Sequence, residues 1–209
     1  MEETTGLRAL IFTGGYSNIE RLRGRLDTGA DWIIAADSGY RTAAALGIRP
    51  HIAMGDFDSY RDPLPPDMPI LRVPAEKDVT DTMLACEFAR DKGCRTLTVV
   101  GGTGGRIDHS LSNLFYLESL RKAGIRVTLT DGDNTVRPLC DERAEVPNDG
   151  GYFSVFALDR CVVTETGCKY PLERAELRRD NPYAVSNEVE GEAAIVEVEG
   201  AALLVTSRK

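Results

Sequence analysis

The stretch that decides the fold is Thr96-Leu-Thr-Val-Val100-Gly101-Gly-Thr-Gly-Gly-Arg106, a short apolar run that stops at a cluster of glycines. Three further apolar runs, at 8–13, 31–36 and 126–130, also end in glycine, aspartate or both. Helical stretches lie between them at about 17–26, 40–46, 79–92 and 109–122; in the last, Leu111, Leu114 and Phe115 recur at helical spacing. Short buried strands separated by helices predict an α/β domain with a parallel sheet, whose ligands bind at the carboxyl ends of the strands.

The sequence changes character after about residue 140. A turn cluster at 147–151 is followed by alternating runs at 152–158, 161–165, 193–198 and 201–206, a pattern typical of antiparallel strands. The segment Glu197-Val-Glu-Gly-Ala201 is predicted to be the turn between the last two runs. We therefore predict two domains, an α/β domain over residues 1–140 and an all-β domain over residues 141–209.

Composition narrows the class of partner. The 209 residues include 25 basic and 33 acidic side chains, a formal net charge of −8, which argues against a nucleic acid or an anionic membrane as partner. The five cysteines include no Cys-x-x-Cys pair, which indicates reduced thiols. The N-terminus is acidic and no apolar run approaches the ~18 residues of a membrane span, so we expect a cytoplasmic protein.

The segment Met54-Gly-Asp-Phe-Asp-Ser59 offers two carboxylates beside a glycine. Alternate residues of an extended chain point to the same side, so Asp56 and Asp58 are able to act together. Paired carboxylates suit Mg²⁺, which completes its coordination with water and substrate phosphates. The alternative is an ordinary turn with solvated aspartates, which for an isolated Asp-x-Asp is the commoner case.

The segment Lys77-Asp-Val-Thr-Asp81 opens the third helical stretch. Asp78 or Thr80 is the candidate N-cap, and an acidic residue in the first turn is favoured by the helix dipole. Capping does not account for Lys77, a cation where the dipole disfavours one. An anion such as phosphate bound at this position would account for it.

The loop Gly101–Arg106 matches neither the Walker A nor the Gly-x-Gly-x-x-Gly pattern. Its glycines nevertheless allow backbone amides to approach phosphate oxygens, and Arg106 adds positive charge. Asp108 is placed to cap the following helix, so Asp108 and His109 also fit a plain cap and a surface histidine. The chain has only two histidines, which argues against a histidine-based zinc site. Together these residues predict a Mg²⁺-nucleotide transferase.

The chain also carries a series of motifs in a fixed order. They are Ala36-Asp-Ser-Gly39, Gly47-Ile-Arg-Pro50, Gly55-Asp-Phe-Asp-Ser59, Lys77-Asp-Val-Thr-Asp81, Gly104-Gly-Arg-Ile-Asp-His109, Ser112-Asn113, Gly167-Cys-Lys-Tyr-Pro-Leu172 and Ser186-Asn-Glu188. In this order they resemble the thiamine pyrophosphokinases, of the bacterial type. Each motif is weak by itself, but the ordered set covers nearly the whole chain and is highly specific.

The resemblance implies a fold, an activity and an assembly. The fold is a Rossmann-like parallel-sheet domain that binds ATP, residues 1–140, followed by a small antiparallel β-sandwich that binds thiamine and forms the dimer contact, residues 141–209. The active sites of the homodimer lie between the subunits. The activity is transfer of the pyrophosphoryl group of ATP to the hydroxyl of thiamine, giving thiamine diphosphate and AMP. The alcohol attacks the β-phosphorus, and we expect a carboxylate near the hydroxyl to act as base.

The resemblance also implies roles for individual residues. Asp56, Asp58 and Asp81 would hold Mg²⁺ and, with Lys77, form the catalytic set. The thiamine-binding pair would be Ser186 and Asn187. The ATP-binding set would comprise Asp37, Ser38, Asp78, Thr80, Gly104, Gly105, Arg106, Asp108, His109 and Asn113.

Two departures and two rival functions qualify this assignment. Cys168 replaces the leucine usual at its position in the family. The single tryptophan, Trp32, lies in the first domain, so an aromatic wall against thiamine would have to come from Tyr170 or Tyr183.

One rival function is that of a pyrophosphokinase for 6-hydroxymethyl-dihydropterin, which shares the aspartates but not the second-domain motifs. The other is a nucleotide- or thiamine-binding sensor without turnover. Every acidic position expected of the enzyme is filled, whereas a protein that had lost its activity should have lost some of them.

Overall fold

The computed structural model describes residues 6–57, 64–73 and 79–209. The chain forms two compact units, Met1–Gly132 and Asp133–Lys209. The first unit contains, in chain order, β1 (Leu7–Phe12), α1 (Ile19–Leu22), β2 (Trp32–Ala36), α2 (Gly39–Ala45), β3 (Ile52–Gly55), β4 (Ile70–Arg72), α3 (Asp81–Asp91), β5 (Cys94–Val100), α4 (Ile107–Lys122) and β6 (Arg126–Thr130).

The sheet of the first unit is parallel throughout. Its strand order is β4-β3-β2-β1-β5-β6, so the chain builds outward from β1 to β4 and then returns to the other side of β1 to add β5 and β6. The central strands are apolar because both of their faces are covered; residues 9–12 of β1 are all buried. The reversal between β1 and β5 is a topological switch point, the place where open α/β sheets bind ligands.

The helices differ from prediction in extent and, for α4, in orientation. Helix α1 is only four residues long because Gly24, at φ +70°, follows its C-cap. Leu111 and Phe115 recur at the spacing of one helical face, but that face does not meet the core, because the two residues are 45% and 55% exposed. The buried face of α4 instead comprises Ser110, Asn113, Leu117 and Leu120, because its first half packs a polar asparagine against the glycine loop rather than an apolar side chain.

The second unit is antiparallel. Its strands are β7 (Asn134–Pro147), β8 (Tyr152–Thr166), β9 (Leu172–Arg178) and β10 (Ala193–Ser207), hydrogen-bonded in the order β7-β10-β8-β9. The alternating side chains of the long strands form one core cluster, which includes Val146, Phe153, Val163, Val196 and Leu204. The predicted fold class, a parallel sheet with helices followed by antiparallel strands, is therefore confirmed.

One local prediction in this unit is wrong. Residues 197–201 are not a turn but a β-bulge within the single long strand β10, where the pairing register shifts between Val198 and Ala201. Gly200 adopts φ +100° there, and its N–H donates to Oδ1 of Asp141, itself at φ +48°, over 2.7 Å. Turn-type residues thus mark a bulge because an extra residue in a strand needs the same positive φ that a turn needs.

Across residues 6–57, 64–73 and 79–209, none of the helices combines the length and the apolar character needed to cross a membrane.

Candidate active site

A cavity of about 620 Å³ opens at the carboxyl ends of the central strands of the first unit. Its walls come from the segments that follow β1, β2, β3 and β5 and from the first turns of α3 and α4. The lining residues are Thr13, Gly14, Gly15, Ala36, Asp37, Ser38, Asp56, Val79, Thr80, Asp81, Thr82, Gly102, Gly104, Gly105, Arg106, His109 and Asn113. The cavity therefore lies at the switch point where the topology predicts ligand binding.

Two glycine-rich loops meet at this cavity, one after β1 and one after β5. The N–H of Gly102 donates to the carbonyl of Gly14, and the N–H of Tyr16 donates to the carbonyl of Thr103, each over 2.8 Å. Gly15 adopts φ +107°, and a Cβ added there would lie 2.6 Å from the Thr103 carbonyl oxygen. Only glycine lets the two backbones approach this closely.

Buried polar side chains hold the second of these loops from behind. The Asn113 amide on α4 donates to the carbonyl of Gly102 over 2.9 Å, and the Thr103 hydroxyl donates to Oδ2 of Asp131 over 2.7 Å. Asn113 and Asp131 are both buried. The structure therefore places Asn113 in the cavity wall as a support for the glycine loop.

Three carboxylates line the same cavity. Asp37 follows β2 at φ +45°, is buried, and donates its N–H to the carbonyl of Met54 over 2.7 Å. Asp56 follows β3, and Asp81 is the first residue of α3. Ser38 lies beside the first glycine loop, since a Cβ on Gly14 would be 2.6 Å from its hydroxyl oxygen.

The start of α3 is fixed by two hydroxyl contacts. Thr80 is the N-cap, as one of the two predicted options had it, and its Oγ1 accepts a hydrogen bond from the N–H of Met83 over 3.2 Å. The Thr82 hydroxyl lies 2.6 Å from the hydroxyl of Thr13, which follows β1, and both residues are buried. This pair ties the helix that carries Asp81 to the central strand.

Arg106 and His109 also line the cavity, and Arg106 brings a positive charge to it. The guanidinium of Arg106 donates to both carboxylate oxygens of Asp108, over 3.2 and 2.5 Å, and lowers the pKa of that carboxyl to about 2. The sequence predicted that Asp108 caps α4, and this prediction is wrong. The N-cap residue is Arg106, which makes no side-chain capping hydrogen bond. Asp108 is absent from the cavity lining and reaches the site only through Arg106.

Two of the three predicted Mg²⁺ ligands lie in the part of the chain that the structure describes, and their chemistry suits a hard divalent cation. Asp56 and Asp81 line one cavity, and carboxylate oxygens are the ligands that Mg²⁺ prefers. Within the described ranges no group of three His, Cys, Asp or Glu side chains forms a ready metal site. The third predicted ligand, Asp58, lies outside those ranges, as do Lys77 and Asp78.

The predicted thiamine-binding pair lies in the second unit. Ser186 is exposed and adopts φ +57°, with its N–H donating to the Ser154 hydroxyl over 3.0 Å. Asn187 is buried, at 4% exposure, and its side-chain amide is used for hydrogen bonds within the protein. Of the two, Ser186 is the one accessible to a ligand.

Sequence reasoning missed the loop after β1, although it contributes Thr13, Gly14 and Gly15 to the lining. The signal was present, because this apolar run ends in two glycines like the run before the second loop. Asp131 also carried this signal, because it follows the apolar run 126–130, but its contact with Thr103 was not indicated, and Thr82 gave no signal. Their roles depend on a partner 69 or 28 residues away in the chain.

The first unit thus has the features of a phosphate-ester-transferring enzyme of the α/β class, with a glycine-rich cavity and several carboxylates at a switch point. The thiamin pyrophosphokinase catalytic-domain model matches residues 24–129, and the vitamin B1 binding-domain model of the same family matches residues 140–204. The chain belongs to the thiamin pyrophosphokinase family, which confirms the family predicted from the motifs and, with it, the enzyme class.

Individual relatives agree with this assignment. Thiamine pyrophosphokinase of Bacillus subtilis is 34% identical over 189 residues, which cover 86% of this chain and 88% of that protein. The crystal structure of the Bacillus subtilis enzyme superposes with a TM-score of 0.84 and 27% identity, over 97% of this chain and 99% of that one. The enzyme from Geobacillus thermodenitrificans gives a TM-score of 0.80 and 28% identity, over 97% and 98% of the two chains. The similarity therefore extends through both units.

Proposed function

We propose that this protein transfers the pyrophosphoryl group of ATP to the hydroxyl of thiamine, giving thiamine diphosphate and AMP. The observation that carries the proposal is the cavity in which the loop Gly102–Arg106 and the carboxylates Asp37, Asp56 and Asp81 meet at a switch point. The match of residues 140–204 to a vitamin B1 binding domain favours thiamine over the pterin alcohol as acceptor.

The division of labour follows the predicted domains, residues 1–140 for ATP and residues 141–209 for thiamine. The glycine loops would bind the phosphates through backbone N–H groups, together with Arg106 and His109, which line the same cavity. Ser38, Thr80, Gly104, Gly105 and Asn113 complete the described part of this proposed ATP site, to which Asp78 would add.

The carboxylates require a cation if polyphosphate is to bind beside them. Two like unit charges about 5 Å apart repel by about 3 kcal/mol at an effective dielectric constant of about 20. Asp56 and Asp81, with Asp58, would hold Mg²⁺, which when bound neutralises charge on the phosphates. Lys77 would supply a further positive charge at the start of α3.

In the reaction, the thiamine hydroxyl oxygen forms a bond to the β-phosphorus of ATP while the bond from that phosphorus to the α-phosphate oxygen breaks. AMP leaves with the electron pair, and the hydroxyl proton passes to a base, which we propose to be a carboxylate. In the second unit, Ser186 and Asn187 would bind the acceptor, Ser186 by contact and Asn187 by shaping the segment around it.

We further propose a cytoplasmic homodimer. The predicted dimerisation domain is residues 141–209, and helix α4 of the first unit offers a further surface for a partner. Its residues Ile107, Leu111 and Phe115 form an apolar stripe at i, i+4 and i+8 and are exposed by 73%, 45% and 55%. A second copy of this chain would cover the stripe. Light scattering on the purified protein is expected to give the mass of a dimer, and Phe115→Glu is expected to shift it toward the monomer; a wild-type monomer would refute the assembly.

The activity is tested by incubating the purified protein with Mg²⁺ and ATP plus either thiamine or 6-hydroxymethyl-dihydropterin, and separating the products by chromatography. We expect AMP and thiamine diphosphate in equal amounts, and no AMP with the pterin or after removal of Mg²⁺ with EDTA. AMP formed only with the pterin would establish the rival acceptor. Thiamine binding without AMP would establish a sensor.

A further inference from the structure

A buried carboxylate in the second unit has no part in the proposed reaction. Glu165 lies near the end of β8, pairs with Val196 of β10 and is only 2% exposed. Its Oε2 accepts a hydrogen bond from Nδ2 of Asn187 over 2.7 Å, whereas its Oε1 accepts none from any residue that the structure describes. An acid in an apolar core costs stability, so its presence here requires a reason other than packing.

The reason lies in its partner, Asn187, which joins three segments. Besides Glu165, its Nδ2 donates to the carbonyl of Tyr170 over 2.9 Å, and its Oδ1 accepts from the N–H groups of Tyr170 and Glu188, each over 3.0 Å. An asparagine side chain offers two donors and two acceptor positions, so all four are in use. Removing the Glu165 carboxylate would leave one donor of this amide buried and unpaired, and so weaken its hold on the three segments.

Asn187 in turn fixes two exposed groups. Its backbone pairs with Phe153 of β8 in both directions, over 2.8 and 2.9 Å, which leaves the preceding Ser186 at φ +57°, a conformation that few non-glycine residues adopt. Through the Tyr170 backbone it also holds the segment 167–172, whose Tyr170 ring is 59% exposed. The N–H of Lys169 donates to the carbonyl of Glu188 over 3.0 Å and closes the same junction.

We infer that Glu165 is a positioning residue for the acceptor: by accepting from Asn187 it holds Ser186 and Tyr170 in the orientation that binds thiamine. The inference rests on the proposed function, because it concerns the acceptor site of that reaction. It predicts that thiamine binding needs the acceptor oxygen of Glu165 but not its negative charge. The conservative variant Glu165→Gln keeps that oxygen, and Glu165→Met removes it at similar size.

The experiment compares steady-state kinetics of the wild type, Glu165→Gln and Glu165→Met, with thiamine and ATP varied separately. For Glu165→Met we expect about a tenfold rise in KM for thiamine, the cost of one buried hydrogen bond, with kcat and KM for ATP changed less than about threefold. Glu165→Gln is expected to restore KM to within about twofold of wild type. Thermal unfolding is measured on every variant.

The melting temperature separates positioning from a merely structural role. Glu165→Met relieves the cost of a buried acid but leaves the Nδ2 donor of Asn187 unpaired. Because these two effects oppose each other, its melting temperature is expected to stay close to that of wild type while thiamine binds more weakly. An unchanged KM for thiamine, or a KM that rises in Glu165→Gln as much as in Glu165→Met, would overturn the inference. So would a rise in KM that is accompanied by a proportionate loss of melting temperature.

A wild type that forms no AMP with thiamine would instead overturn the proposed function, and the inference with it. If Glu165→Met does not fold, Glu165→Leu takes its place with the same expected values.

Discussion

In the first unit the candidate site is shaped by main-chain contacts between glycine loops, whereas in the second unit a single buried side chain joins the segments around Ser186 and Tyr170. The loops after β1 and β5 meet through N–H to carbonyl bonds of 2.8 Å at Gly102 and Tyr16. Asn187 instead makes its four hydrogen bonds through the side-chain amide. A phosphate-binding wall needs backbone N–H groups at close range, while a site for a neutral or cationic ring needs side chains held at fixed angles.

The largest expected effect tests the carboxylates of the first unit. Asp81→Asn removes a charge from the cavity and is expected to lower kcat about 10²–10³-fold, because stabilisation of transferring phosphate charge is lost. Asp91→Asn, at the other end of the same helix and exposed, is the matched control and is expected to leave kcat unchanged. Initial rates of AMP formation measure both; equal rates for Asp81→Asn and the control would remove Asp81 from the machinery.

The next effect tests whether one side chain organises the second unit. Asn187→Ala is expected to lower the free energy of unfolding by about 3 kcal/mol, since it deletes four hydrogen bonds and leaves the Glu165 carboxylate without a donor. Asn113→Ala, which deletes the support of one loop carbonyl, is expected to cost about 1 kcal/mol.

Denaturant unfolding measures both variants. The double variant Asn187→Ala/Glu165→Leu is expected to recover part of the loss, because the stranded acid is then absent. If Asn187→Ala and Asn113→Ala lower the free energy of unfolding equally, the hydrogen bonds of the Asn187 side chain do not organise the second unit.

A smaller effect tests the main-chain contacts of the first unit. Gly15→Ala places a Cβ 2.6 Å from the Thr103 carbonyl at φ +107°, so we expect a loss of about 2 kcal/mol in stability and a raised KM for ATP. Gly24→Ala, at φ +70° with no atom within 4 Å of the new Cβ, is the control and is expected to cost about 1 kcal/mol without changing KM. An ATP KM that is the same in both variants would contradict the role of the loop contact.

The smallest effect concerns pH. Burial raises the pKa of the Glu165 carboxyl above its ordinary value of 4.5, and the hydrogen bond from Asn187 opposes this in part. The unfolded state then releases its proton at lower pH than the folded state, so the folded protein loses stability as pH rises from about 4.5 through the raised pKa. Glu165→Gln has no such proton, so its stability relative to wild type is expected to rise across that interval and to level off above it.

Chemical unfolding of both proteins at several pH values between 4 and 8 tests this expectation. A difference between the two proteins that does not vary with pH would show that Glu165 titrates as it does in the unfolded chain.

Much of the first unit could be predicted from its sequence. Apolar runs located β1, β2, β5 and β6, and the glycines and aspartates after them pointed to the edge where the cavity opens. The short strands β3 and β4 were not predicted, since three or four residues carry too little periodicity. The exposed face of α4 was also missed, because Leu111 and Phe115 have the spacing of a buried stripe, whereas the face that turns inward carries Asn113 beside Leu117 and Leu120.

The second unit was predicted less completely. Strands β7 and β9 alternate apolar residues with many charged ones, so they resemble loops in the sequence. The turn expected at 197–201 is a bulge in β10 because its two neighbours, β7 and β8, continue to pair on both sides of it. Asn187 was picked out by its motif, but nothing in the sequence indicated that Glu165, 22 residues earlier, would be its partner.

By itself, the sequence determined which residue types stand at the ends of the parallel strands and which family their order resembles. Both are local properties: a strand ends where its apolar run ends, and the ends of parallel strands converge on one edge of the sheet. The tertiary structure alone decided that Gly15 lies against Thr103 and that Asn187 meets Glu165. Such contacts depend on strand order and register, which bring together side chains and loops that are far apart in the chain.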